Sequence, residues 1–154
     1  LFQGRKTLRL NSAVIASDVD EFERALEAQD LETAVDRYRG PFLDGFFLKD
    51  APEFERWADL QRARLARRAA EACTRLAGRA AERGDHRGSA EWWRRAVEVD
   101  AFDTQTALGL VRALAAGGDR AGALLAARRH EELLQRELGV APDLEFREAV
   151  ARLR

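Results

Sequence analysis

Between Asp50 and Gly84 apolar residues recur at helical spacing without a break. Phe54, Trp57, Ala58, Leu65, Ala69, Ala72, Cys73, Leu76 and Ala80 fall on one slowly drifting face. Asp50-Ala51-Pro52-Glu53 supplies a cap residue, an early proline and a glutamate at the third helical position. Beyond Pro52 no proline interrupts the pattern, and its one interior glycine is Gly78. The stretch therefore predicts one helix of about 30 residues, roughly 45 Å long. Its opposite face carries Arg64, Arg67, Arg68, Glu71 and Arg75, which reads as a solvated surface laced with Arg–Glu pairs.

Shorter stripes flank it. After Ser17 or Asp18, with Asp18 and Glu21 forming a capping box, Val19, Phe22, Ala25 and Leu26 make a first helix. Leu31, Ala34, Val35 and Tyr38 make a second after Asp30, and Gly40-Pro41 stops it. Downstream, helices are expected over about 86–98, from Asp103 to Ala116, and from Asp119 to Leu138 with Gly139 as its stop. Trp93 is expected in the core, and Trp92 against the helices of the first fifty residues. Leu108, Val111 and Leu114 face inward on the fifth helix. Leu124, Ala127, Leu133, Leu134 and Leu138 do so on the sixth. Pro142 opens a last helix with Asp143 and Glu145 at its start and Arg152 and Arg154 at its end, as the helix dipole favours. Leu144, Phe146, Val150 and Leu153 give that helix an apolar face.

Two segments stand outside the helical pattern. Residues 7–10 and 13–16 are short apolar runs around Asn11-Ser12, a strand or small hairpin at the edge of another domain. Gly40 to Lys49 is a loop rich in large apolar residues, and Phe42, Leu43, Phe46, Phe47 and Leu48 are expected mostly to plug between helices. The rival reading is an exposed patch for a partner.

The chain also repeats itself. Gly84-Asp85 returns 34 residues later as Gly118-Asp119, Gly88 as Gly122, and Ser89 as Ala123. This is the period of tetratricopeptide repeats, in which two antiparallel helices form each unit. Leu76, Ala77, Ser89, Trp93 and Ala96 fill the positions of that pattern, whereas Ala127 and His130 depart from it in the second copy. Asp30, Ala34 and Tyr38 carry the same spacing as half of a third copy. The fold class read from the chain is all-α: a tetratricopeptide-like, right-handed array of about seven helices with a short β remnant at its start. In such arrays Gln105, Arg112 and Ala115 take positions that line the concave groove. Arg75, Gln105 and Arg112 are the candidate partner-binding residues.

Composition narrows the chemistry. A formal net charge of −1 excludes nucleic-acid binding by bulk charge. The 46% hydrophobic content is spread without a membrane-spanning run, and no signal peptide is evident. One cysteine, Cys73, precludes an internal disulfide, fits a reducing cytoplasm and lies on the apolar side of its helix. His86 and His130 are isolated, so no zinc site forms with it. No phosphate-binding glycine motif occurs. Catalytic, metal and cofactor sites are all expected to be absent, and the reading is not an enzyme. The chain lacks Met, which suggests a fragment, and Leu1-Phe2-Gln3-Gly4 looks like a protease-site remnant of a vector.

The order of motifs is similar to that of the bacterial transcriptional activator domain of SARP-type regulators. The residues that carry the resemblance are Asp18-Val19 with Phe22; Tyr38-Arg39-Gly40 with Phe42-Leu43; Phe54 with Trp57; Arg62 with Arg64-Leu65; Gly84-Asp85; Ala113-Leu114 with Gly118 to Ala121 and Ala123-Leu124; and Glu137 to Val140 with Pro142. Ala101, where the family usually has proline, and His130 depart from it. The resemblance implies a cytoplasmic regulatory module over residues 18–154, following a winged helix DNA-binding domain of which residues 5–17 are the end or the linker. It implies protein partners: RNA polymerase subunits, other domains of the same regulator, or a second copy in a homodimer. DNA would be touched only through the missing domain. The alternative is a tetratricopeptide adaptor or sensor domain that binds a peptide or small effector without DNA.

Overall fold

The computed structural model describes residues 14–154. Seven helices run through them: α1 (Asp18–Glu27), α2 (Leu31–Arg37), α3 (Pro52–Glu82), α4 (His86–Val99), α5 (Thr104–Ala116), α6 (Arg120–Leu138) and α7 (Leu144–Arg152). The described residues are all-α. The expected strands at 7–10 and 13–16 lie largely outside them, and residues 14–17 form no strand.

Helices pack on their sequence neighbours: α1 on α2, α3 on α4, α4 on α5, α5 on α6, with α7 against α5. The repeat explains the turns. Gly84 and Gly118 have φ of 76° and 83°, and the next residue caps the following helix. Asp85 accepts from the Gly88 N–H and Asp119 from the Gly122 N–H, both at 2.8 Å. Asp30 caps α2 through Thr33 in the same manner.

Three apolar clusters follow from the stripes. Phe22, Ala25, Ala34, Leu65 and Ala69 join α1 and α2 to the first half of α3. Leu31, Val35, Ala72, Cys73, Leu76 and Ala96 join α2 to the second half of α3 and to α4, with Trp92 against them. The largest, around Leu108, Val111, Ala127 and Phe146, ties α5 to α4, α6 and α7. Small alanines line most contacts, so the helices approach closely, and many weak dispersion contacts add up.

Several sequence expectations change in the structure. Ser17, not Asp18, caps α1, accepting from the Asp20 N–H, while Glu21 pairs with Arg37 at 3.0 Å. The first residue of α3 is Pro52 and its cap position is Ala51, which makes no side-chain bond; Asp50 instead turns the chain with φ 60°. Leu138 is exposed because α6 is longer than α5 and its last turn overhangs its support. Leu144 is exposed because Phe146, Ala149 and Val150 set the inward face of α7, and Leu144 is out of phase with them. The charged face of α3 is less solvated than its pattern suggests. Arg64 and Arg68 both reach Glu23 of α1, at 2.5 and 3.1 Å.

The loop at 40–50 departs most. Phe42 is half-buried against Trp57. Leu43, Phe46, Phe47 and Leu48 are exposed, as is Trp57, which the helical pattern placed on the inward face.

Candidate functional site

A groove of about 600 Å³ opens between α3 and α5, with α4 as its floor. The α3 wall is made of small residues, Thr74, Ala77, Gly78 and Ala81. Their spacing of three and four residues puts them on one helical edge. The floor is His86, Ser89 and Trp93. The α5 wall presents Gln105, Thr106, Gly109 and Arg112. A second hollow of about 650 Å³ shares Thr74, Asp103 and Thr106 with the first and extends along Ala63, Ala66, Ala70 and Arg75.

The three candidate residues thus border two adjoining hollows that together make up a channel, Gln105 and Arg112 in the first and Arg75 in the second. They do not converge. The Arg75 guanidinium donates to Gln29 Oε1 at 2.6 Å, at the turn between α1 and α2. Gln105 Nε2 donates to Asp143 at 3.3 Å, and Arg112 donates to Glu145 at 2.8 Å, both at the start of α7. Arg112 and Glu145 are each about half exposed, at 55% and 53%, so this pair is weak and exchangeable. Ala115, expected beside them, packs on the α5–α7 core instead.

Asp103 rigidifies the entrance. Its carboxylate accepts from the N–H groups of Gln105 and Thr106 and from the Thr106 hydroxyl. Trp93 rests on Gly109, and this contact sets the depth of the channel. The tryptophan was legible as a core residue; its place in the channel floor was not, because that depends on the glycine about a turn and a half into the facing helix.

Two other groups have perturbed chemistry. His130 is 5% exposed, bonds Thr104 Oγ1 through Nε2 at 3.1 Å and packs on Phe146. Burial lowers its pKa foremost; the Ala101 carbonyl and then the Asp103, Asp143 and Glu131 carboxylates pull the other way. Its Nδ1 is buried without a partner, so the Ala101 carbonyl acts on the ring without a well-directed bond to that atom. Cys73 is buried, and desolvation pushes its thiol up to about 11. Both are built into the core and away from the channel. Among the described residues no three His, Cys, Asp or Glu side chains gather to hold a metal ion. None of the helices there is long and apolar enough to cross a membrane.

The channel is lined by small, apolar and polar side chains. The family model of the bacterial transcriptional activator domain matches residues 7–154. The chain belongs to that family. The activator domain of SARP-type regulators is a module of transcription regulation, and the all-helical repeat described here is its scaffold. The match begins at residue 7, so it takes in the apolar runs that precede α1. No curated protein matches this activator domain.

Proposed function

We propose that this activator domain is a protein-interaction module of a cytoplasmic transcription regulator and has no catalytic activity of its own. It acts through contacts with RNA polymerase subunits, with other domains of the same regulator, or with a second copy. A winged helix domain precedes it, joined through residues 5–17, and carries the DNA contacts.

One observation supports this reading above the others: the channel between α3 and α5 pairs a wall of small residues with a wall of polar ones. Thr74, Ala77, Gly78 and Ala81 let the backbone of a partner segment approach closely. Gln105 and Arg112 then offer donors whose present acceptors, Asp143 and Glu145, are exposed and readily exchanged. A rigid helical scaffold offering spaced side chains to an extended or helical segment is how such arrays recognise protein.

The test is capture of RNA polymerase holoenzyme, and separately of a second copy, by the full regulator and by its Arg112→Glu and Arg75→Glu variants. Weaker capture with unchanged helicity is expected for at least one of the two partners. Equal capture by wild type and both variants removes the channel from the binding surface.

A further inference from the structure

The first half of α3 and the loop before it carry an apolar face that no other element meets among the described residues. Phe46, Phe47 (73% exposed) and Leu48 turn outward from the loop, and Trp57 and Leu60 (68%) from α3. Trp57 and Leu60 are three residues apart, so they form a row along one side of the helix. Phe46 meets Phe54 edge-on and Phe54 packs on Trp57, which joins the loop residues to that row. With Leu43 these side chains offer roughly 600 Å² of apolar surface, the upper end for a patch that stays uncovered.

The loop is held in this shape through its backbone. Arg62 Nε donates to Phe42 O at 2.9 Å, and Nη2 to Leu43 O at 3.2 Å and Phe46 O at 3.3 Å. Asp59 fixes the guanidinium at 2.7 Å, and Glu55 accepts the Leu48 N–H at 2.8 Å. Leu43 and Asp50 stand at left-handed φ of 53° and 60°, which non-glycine residues seldom adopt. These bonds take up three loop carbonyls and one N–H, and no strand occurs among the described residues. The face therefore offers a visitor side chains and little backbone to pair with. A segment that buries its own backbone there has to satisfy its N–H and C=O groups internally, as a helix does.

Charge selects among helices. Between Asp44 and Arg62 five carboxylates, on Asp44, Asp50, Glu53, Glu55 and Asp59, stand against three cations, on Lys49, Arg56 and Arg62. Of the five only Asp59 is in an ion pair among the described residues, with Arg62. The surplus is negative, so a matching helix is apolar on one side and basic on its flanks. The same surplus works against a second copy, whose end face repeats it.

We propose that this end face docks a basic amphipathic helix of a partner protein, its apolar stripe along Trp57 and Leu60 beside Phe47 and its cations toward Asp44, Asp50 and Glu53. The face shares no residue with the α3–α5 channel, and the proposal does not rest on the function assigned there.

The probe is a fluorescein-labelled helical peptide of about four turns, with leucine at i, i+3, i+4 and i+7 and lysine on both flanks. One control replaces every lysine by glutamate; the other keeps the composition and scrambles the order. Anisotropy should show the intact chain binding the lysine helix about tenfold tighter than either control, or more. Phe47→Ser and Leu60→Ser lie at exposed positions, and each should weaken binding about fivefold with unchanged circular dichroism. Asp44→Asn with Glu53→Gln should flatten the salt dependence. Equal binding of the three peptides, or binding that none of these substitutions changes, overturns the proposal. So does a wild-type chain that sediments as a dimer where Phe47→Ser sediments as a monomer, because a second copy then takes the face. Binding that appears only after residues 1–13 are removed overturns it too, since the face is then closed within the chain.

Discussion

The indole of Trp93 occupies the space that a side chain on Gly109 would need. A Cβ there would lie 2.5–2.6 Å from three ring atoms. Gly109→Ala therefore forces the half-buried ring to shift from its place against α5. Overpacking of this kind costs about 1–3 kcal/mol. Urea unfolding should show the loss, and Trp93→Leu in the same chain should recover part of it through relief of the clash. Independent, additive effects of the two substitutions would show that the ring has room to move.

His130 makes stability depend on pH. Its folded-state pKa lies below the ordinary histidine value of 6.5, chiefly through burial. The unfolded chain then binds the proton more readily, so this contribution is complete above pH 6.5 and is lost as pH falls through the folded-state value. Denaturation midpoints at pH 7.5 and pH 5.5 should differ less in His130→Gln than in the wild type. An identical difference in both would place the pH dependence elsewhere.

Arg62 supports three loop carbonyls at once, a task for a planar, forked donor. Arg62→Lys keeps the charge but reaches fewer acceptors. It should lower stability by about 1–3 kcal/mol, the range for charge-assisted bonds lost at partly buried sites. Limited chymotrypsin digestion should cut faster after Phe46 and Phe47 in the variant. Unchanged cleavage would mean that the loop holds its form without the arginine.

The two repeat caps are equivalent in geometry, with the same 2.8 Å bond from the third helical residue. Asp85→Ala and Asp119→Ala should each cost about 1 kcal/mol, as cap removals do. Thermal melts of the two single variants and the double variant test both size and additivity.

Much of this fold was legible because its signals are local. Period-3.6 stripes, Gly-Asp punctuation and Pro52 located all seven helices within a few residues. The misread positions depend on what lies across the gap. Trp57 shares the phase of Ala58 and Leu65, yet no element covers that end of α3 among the described residues, so it meets solvent. Leu138 fits the α6 stripe, but α5 ends before it. Arg64 and Arg68 look like solvated charge until α1 brings Glu23 to them. For the channel, Gln105 and Arg112 followed from repeat position. The α7 carboxylates that hold them did not, since no local pattern couples residues 33 and 38 apart.

The length of α3 has a mechanical consequence. Its 31 residues run from the aromatic end, past α1 and α2, to the small-residue wall of the channel. Over roughly 45 Å there is no proline after its first turn and no joint at which one half could bend away from the other. A load applied at Trp57 is therefore delivered along a single strut to Ala81. The aromatic end and the channel walls therefore share one rigid element.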